Sequence, residues 1–380
     1  MSDKNILIIG GGIAGIKSAL ELAVHNIPTT IIDKSPFLSG KLAQLDKQFP
    51  TNSCTMCQML PLTNELGTSE FCLKRELNNP NITLLPYTEI ISYQKTNEGF
   101  SVELKKHPRF IDNDKCIVCH KCSEICPEKT DSEFEEKLIK RKAVYQLFPN
   151  SLPNSYIIDE RTCTKCEKCV KVCPTNAIDL NAKEEIKKEN FKNIIITSGF
   201  DIYDPTIDSE YGYGRFKNVF TSMQIERMLS PMGPLNGNLK KKFHKNAKFA
   251  FIQCVGSRNK ENPYCSSACC MYALKEAGLI KENLPQSEIF IFFMDVRTFG
   301  KGYYMYGENV KKKKDIHFIN TRISNLEEVT DNKLLIKYED EKGTLVKEQF
   351  DAVILSTGQS INIPEAFKSI TDKTGFIRTD

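Results

Sequence analysis

Nothing in this chain is long and apolar enough to cross a bilayer: its apolar runs reach about six to eight residues, where a spanning helix needs ~20. No signal peptide is expected either. The first residues, MSDKNILIIGGG, enter a strand at once, without the charged, apolar and small-residue stages of a signal peptide. Charge of one sign is missing too, since 52 Lys and Arg stand against 48 Asp and Glu for a net +4. The basic residues are scattered except for Lys311 to Lys314, which read as a solvated helix end, so neither nucleic-acid nor membrane-surface binding is expected. Tryptophan is absent, and histidine is scarce at five. Cysteine is the exception. Fifteen of them without an export signal point to a reducing compartment where thiols serve as ligands. A cytoplasmic, oxygen-sensitive protein of two or three domains is expected.

Eight cysteines form one phrase written twice. Cys116, Cys119, Cys122 and Cys126 precede Pro127, and Cys163, Cys166, Cys169 and Cys173 precede Pro174, both reading C-x2-C-x2-C-x3-C-P. This spacing holds paired 4Fe-4S clusters of the bacterial ferredoxin type, three cysteines of each run on one cube and the fourth reaching across to the other. The expected ligand sets are Cys116, Cys119, Cys122 and Cys173, and Cys163, Cys166, Cys169 and Cys126. Zinc knuckles and disulfide scaffolds also use cysteine, but rarely need eight thiols in this doubled order with trailing prolines. Two such clusters imply one-electron transfer.

The N-terminus carries a second signal. Residues 5–9 are a short apolar strand, followed by Gly10, Gly12 and Gly15 in a G-x-G-x-x-G turn with Ala14 inside it, an amphipathic helix to Ala23, and a strand from Thr29 to Ile32 that ends in Asp33 and Lys34. The glycines permit a tight turn and close approach of a pyrophosphate, the helix N-terminus offers free N–H groups, and Asp33 can accept from ribose hydroxyls. Ser39, Gly40 and Lys41 follow as a loop. Two later strands run into small-residue turns, Asn193 to Thr197 into Ser198-Gly199-Phe200, and Ala352 to Leu355 into Ser356-Thr357-Gly358. They resemble the turns that close the nucleotide regions of thioredoxin-reductase-like flavoproteins. Each alone can be a mere strand-to-loop turn, the lesser reading; as a set they favour FAD.

The expected fold is α/β, a two-dinucleotide-fold flavoprotein with an inserted α+β bacterial-type ferredoxin domain. Residues 1–109 would begin the FAD domain, 110–187 form the two-cluster insert, 188–247 continue the FAD domain, 248–349 build a second α/β unit and 350–380 return to the first. A hairpin is expected over 88–105 around Asn97-Glu98-Gly99, and a charged helix from Asp131 to Arg141. In the second unit, strands are expected at Lys248 to Cys254, Glu288 to Phe293 and Ile316 to Asn320, with a helix from Ser267 to Glu282.

Where a nicotinamide-binding glycine turn should open the second unit, the chain reads Gln253-Cys254-Val255-Gly256-Ser257-Arg258. One glycine does not give the approach that three provide, so NAD(P)H binding there is not expected. Cys254, Cys265, Cys269 and Cys270 gather instead. They read as a metal site, or as small buried apolar residues with inert thiols. Cys54 and Cys57 form a separate C-x-x-C with three open readings: a redox dithiol, half a cluster site, or structural thiols. Cys72 reads as core, and His120, inside the first phrase, as a solvated loop residue or a modulator of cluster potential.

Several phrases together resemble the flavin and iron-sulfur subunit of heterodisulfide reductase: Gly10 to Lys17, Lys41 to Pro50 with Cys54 and Cys57, Arg141 to Pro153, Tyr211 to Arg215, Phe251 to Arg258, Asn262 to Tyr272 and Met294 to Gly302. The resemblance covers essentially the whole chain and implies a thioredoxin-reductase-like fold, FAD, and a third 4Fe-4S cluster at Cys254, Cys265, Cys269 and Cys270. It further implies an electron-transfer subunit, with flavin-based bifurcation as in the relatives. Its partners would be other subunits of such a complex, with ferredoxin or a hydrogenase or dehydrogenase as electron donor. Relatives usually continue past the equivalent of Gly375-Phe376-Ile377, so a fragment, or a site completed by another chain, is expected. No general acid or nucleophile is expected. The competing readings are an NAD(P)H-dependent reductase of the glutamate-synthase small-subunit type and a non-catalytic relay subunit.

Overall fold

Unbroken apolar strands belong at the centre of parallel sheets, where both faces are covered. The strand Ile6–Ile9 takes that place in the computed structural model, which describes residues 5–38, 40–52, 77–149, 151–313, 315–340 and 342–379. The chain divides into two units: residues 1–43, 54–199 and 361–380, and residues 44–53 with 200–360.

In the first unit a four-stranded sheet runs in the order Asn193–Ile196, Ile6–Ile9, Thr29–Asp33, Ile82–Pro86. All neighbours are parallel, with Ile6 opposite both Asn193 and Thr29. The helix Ile13–Val24 buries Ile16, Ala19, Leu20 and Ala23, an i, i+3, i+4, i+7 stripe, against Ile8 and Ile31. The hairpin Thr88–Thr96 and Gly99–Lys106 turns near Asn97-Glu98-Gly99 as expected and is joined by Glu185–Phe191. Its Ile90, Val102 and Leu104 share a core with Leu7, Ile9 and Ile32.

The cysteine insert is built from two short helices, Lys121–Ile125 and Lys168–Val172, and two small ladders. The helix expected from Asp131 to Arg141 is not formed: Lys129–Asp131 pairs antiparallel with Lys140–Lys142. Left-handed backbone at Glu136 (φ 51°) and Lys137 (φ 62°) turns the chain back, and burial of Phe134 against Phe148 and Ala43 outweighs the helical propensity of the charged run.

The second unit has a five-stranded parallel sheet ordered Val219–Thr221, Ala352–Thr357, Lys248–Val255, Glu288–Phe293, Ile316–Asn320. Three of its strands and the helix Cys269–Asn283 lie where the apolar pattern puts them. The strand Ala352–Thr357 is buried at every position inside this sheet, and the chain re-enters the first unit at Ile361. Helices Ser222–Leu229 and Tyr303–Lys311 complete the unit with an antiparallel sheet of Glu327–Glu328, Leu334–Glu339 and Leu345–Phe350. Phe292, Leu334, Ile336, Phe350 and Val353 make one core. Among the described residues no helix is long and apolar enough to cross a membrane.

Candidate metal centres and nucleotide turn

The two cysteine phrases repeat their backbone as well as their spacing. Val118 and His120 have φ of 54° and 66°, and the corresponding Lys165 and Glu167 have 53° and 58°. Left-handed residues between ligands coil the chain tightly, so successive thiols face one point. The five-residue helices that follow carry Cys122 and Cys169 inward, both buried.

Two cavities then divide the eight cysteines in the crossed manner. One, about 330 Å³, is lined by Cys116, Cys119, Cys122 and Cys173; the other, about 300 Å³, by Cys126, Cys163, Cys166 and Cys169. Each takes three thiols from one phrase and the last of the other, as cubes require. Among the described residues, no three His, Cys, Asp or Glu side chains close round a single metal ion. The thiols stand around a volume, a donor set that fits a cluster better than zinc. Burial pushes the Cys122 thiol up to about 12 and raises that of Cys169. At Cys173 burial is outweighed by hydrogen bonds, chiefly from the backbone at Ala177 and Thr175, and the thiol is held below its usual value. Ligation of the buried thiols would therefore release protons. His120 is exposed, and its Nδ1 meets the hydroxyl of buried Tyr156 at 2.5 Å; Tyr156 itself lines the first cavity.

In the first unit the glycine turn divides its labour. A Cβ at Gly10 (φ 113°) would strike Thr197, and one at Gly15 would strike the Gly10 carbonyl, so both serve strand and helix packing. Gly12 differs. A Cβ there would meet only Gly40, at 3.8 Å, so this side of the turn is open to a close-approaching ligand. No side chain caps the helix that starts at Ile13, no acid stands in its first turn, and Ala14 is exposed. These features fit a pyrophosphate. Asp33 is half-buried and accepts from Gly11 N at 2.6 Å and Ser35 N at 2.7 Å. Burial raises its carboxyl more than these bonds lower it. Its first role is thus to clamp the glycine loop, with one lone pair on each oxygen left for a ribose. Lys34 and Gly40 are exposed, and Lys41 starts a 3-10 turn. Ser198 donates to the Asn362 carbonyl, and Gly199 (φ 74°) faces open space. Thr357 and Gly358 fall in the second unit, where Gly358 N donates to Val255 O at 2.7 Å.

The second unit's cysteines converge at a strand end and a helix start. Cys254 is left-handed (φ 61°) within a register shift between Ile252 and Val255, which turns its thiol toward Cys269 at the first position of the helix. Hydrogen bonding from Cys269, aided by the Arg258 charge, lowers the Cys254 thiol to about 7 despite its burial. Cys269 is raised by its bonds to Cys254 and Cys270, and Cys270 is lowered by Cys269. Cys265 is half-buried and faces Arg297. Asp295 ties the rim together, pairing with Arg258 and accepting from Arg297 Nε at 2.9 Å while its carbonyl lies 3.7 Å from the Cys270 sulfur. Such an electropositive surround favours thiolates. Sequence reasoning assigns no role to Arg258, Asp295 and Arg297; their only signal is polar residues within otherwise apolar strand ends. Gly256 (φ 72°) lies under the Tyr203 ring, which fills the space a phosphate would need. Cys54, Cys57, Cys72 and Ser39 lie outside the described residues.

The family described as a 4Fe-4S dicluster domain matches residues 115–177. The chain is 43% identical to an iron-sulfur subunit of the CoB–CoM heterodisulfide reductase of Methanopyrus kandleri, across 93% of this chain and 53% of that protein. It is 38% identical to a subunit of the H2:CoB-CoM heterodisulfide,ferredoxin reductase of Methanothermobacter thermautotrophicus, across 94% of this chain and 53% of that one. The chain thus spans about half the length of these relatives. Among solved structures, thioredoxin reductase of Lactococcus lactis is similar with a TM-score of 0.49 and 14% identity, over 99% of this chain and 85% of that one.

Proposed function

We propose that this chain, a relative of the iron-sulfur subunits of heterodisulfide reductase, is an oxidoreductase subunit that passes electrons between FAD on the first unit's glycine turn and 4Fe-4S clusters. Two clusters belong to the 110–187 insert, and a third to Cys254, Cys265, Cys269 and Cys270. The observation that carries this reading is the crossed division of eight cysteines between two cavities. FAD supplies a two-electron acceptor that releases electrons singly, to clusters that take them one at a time. The protein's own part is placement. Gly12 leaves room for the pyrophosphate, Asp33 fixes the loop, and the buried thiols exclude water from the metal centres. Partners would be other subunits of a heterodisulfide-reductase-like complex and a ferredoxin-class electron donor, in the cytoplasm, with bifurcation as the finer form of the reaction.

The competing reading, an NAD(P)H-dependent reductase, is disfavoured by Tyr203 packed on Gly256, the single glycine of the second unit's turn. Anaerobic purification should yield flavin with about twelve irons per chain, four for each cube. NADH or NADPH alone should leave the flavin yellow, whereas reduced ferredoxin should bleach it. Stoichiometric bleaching by either nucleotide overturns the proposal.

A further inference from the structure

The helix that presents Cys269 and Cys270 carries, two turns further on, a pair of charged residues with no access to water: Lys275 is 1% exposed and Glu276 0%. Glu226, on the helix Ser222–Leu229 packed against it, is 1% exposed and pairs with Lys275 at 2.6 Å. Its other oxygen accepts from the backbone N–H of Asp46 at 2.8 Å. Lys275 also donates to the Lys47 carbonyl at 2.6 Å, and Arg227 to that of Gln44 at 2.9 Å. These bonds all lie within the second unit.

Glu276 is left over. Among the described residues neither of its oxygens has a well-directed hydrogen bond, although the Glu226 carboxyl and Ser222 hydroxyl lie beside it. Among the described residues Lys275 carries the one buried ammonium, which is committed to Glu226, and two ionised carboxylates side by side without water would repel strongly. A proton held between them removes both costs. We propose that Glu276 and Glu226 form a buried proton-binding site, filled by one proton while the cysteine centre on the same helix is reduced and emptied by way of Asp46 when that centre is oxidised. Proton uptake from water would balance the negative charge of one electron delivered by a low-potential iron–sulfur donor.

Geometry supports each part. Cys269, Tyr272 and Glu276 are spaced i, i+3, i+7 and so share one helix face. Tyr272 lies between the two sites with its hydroxyl on the Thr357 carbonyl. Asp46, 6% exposed, is the carboxyl next to Glu226. The groups around the pair are Lys275 and Tyr272 on its own helix, Arg227 and Ser222 on the packed helix, Asp46 and Lys47 on the 44–53 segment, and Tyr306 on the helix Tyr303–Lys311. Burial and the neighbouring Glu226 charge raise the Glu276 carboxyl well above its usual range, and burial with the same neighbour lifts Asp46 to about 6.

The redox coupling rests on the proposed centre at the four cysteines; the proton itself does not. Infrared difference spectra of the anaerobic holoprotein, with dithionite as reductant, should show a protonated-carboxyl C=O band that appears on reduction. The band should vanish in Glu276→Gln, which keeps the neutral shape and so the fold, and its iron content should stay at the wild-type level. The midpoint potential of the centre should fall with rising pH in the wild type and lose that slope in Glu276→Gln. An unchanged band in the variant, or a wild-type band indifferent to redox state, overturns the proposal. Undiminished iron in a Cys269→Ala, Cys270→Ala double variant would instead overturn the centre and with it the redox coupling, while absolute infrared spectra of the wild type and Glu276→Gln, compared, would still report a proton on the pair.

Discussion

Cys173 lines the same cavity as Cys116, though the two belong to different cysteine phrases. The crossing makes the cluster assignments separable by mutation. In Cys126→Ser, the centre of Cys163, Cys166 and Cys169 should be degraded while that of Cys116, Cys119 and Cys122 stays intact, with a loss of up to about four irons. Electron paramagnetic resonance of the dithionite-reduced protein reads the loss. Selective damage to the first centre would refute the crossed pairing.

The glycine turn predicts two opposite phenotypes from similar substitutions. Gly12→Ala should leave the melting temperature near that of the wild type but cut flavin occupancy several-fold, because the methyl enters only the ligand's space. Gly15→Ala should do the reverse, destabilising the first unit by ~1–3 kcal/mol through overlap with the Gly10 carbonyl. Flavin absorbance and thermal unfolding of each apoprotein separate the two. Equal loss of stability in both would mean that Gly12 is a packing position.

Legibility in the sequence follows the range of the interactions. The crossed grouping of the eight cysteines is read at once because local spacing alone sets it, and the apolar run within Glu288–Phe293 needs no context. The hairpin at Lys129–Asp131 and Lys140–Lys142 reads as a helix in sequence because a charged run satisfies helical propensity; only the distant Phe148 and Ala43 decide that Phe134 must turn inward. Asp33 reads as a ribose acceptor, and its grip on Gly11 N depends on loop geometry that spacing does not encode. Lys275 and Glu276 are silent for a similar reason. Adjacent opposite charges in a helix read as a solvated face, and their burial is set by Ser222–Leu229 and the 44–53 segment.

Removing the Lys275 ammonium should be costly. In Lys275→Met, Glu226 loses its ion-pair partner in a site closed to water, and stability should drop by about 3–5 kcal/mol at neutral pH. The loss should shrink as the pH is lowered, since protons taken up at the site remove the uncompensated charge. Chemical denaturation at several pH values checks this, and a pH-independent loss would mean that Lys275 acts by packing alone.

Asp46 should leave a mark on the pH profile of stability. Its carboxyl is raised to about 6 in the folded chain, chiefly by burial, against about 3.9 in an unfolded one. Between those values the unfolded state releases the proton and the folded state keeps it. The wild type should therefore lose stability relative to Asp46→Asn as the pH rises from about 4 to about 6, with no further divergence above. Parallel profiles for the two proteins would contradict the raised value.

Pairing Ile6 with Asn193 closes the first sheet across the whole cysteine insert. Every ladder inside that insert joins residues much nearer in sequence, such as Val144 with Ile158. Closing a longer loop costs more chain entropy, and contacts of long sequence separation form late. During synthesis from the ribosome, the N-terminal strand must therefore wait for its edge partner, Asn193–Ile196, while the cysteine insert is completed first. The insert is a guest lodged before its host sheet is closed, and the nucleotide turn, whose Gly10 rests against Thr197, completes its packing only once residue 197 has followed the cysteines.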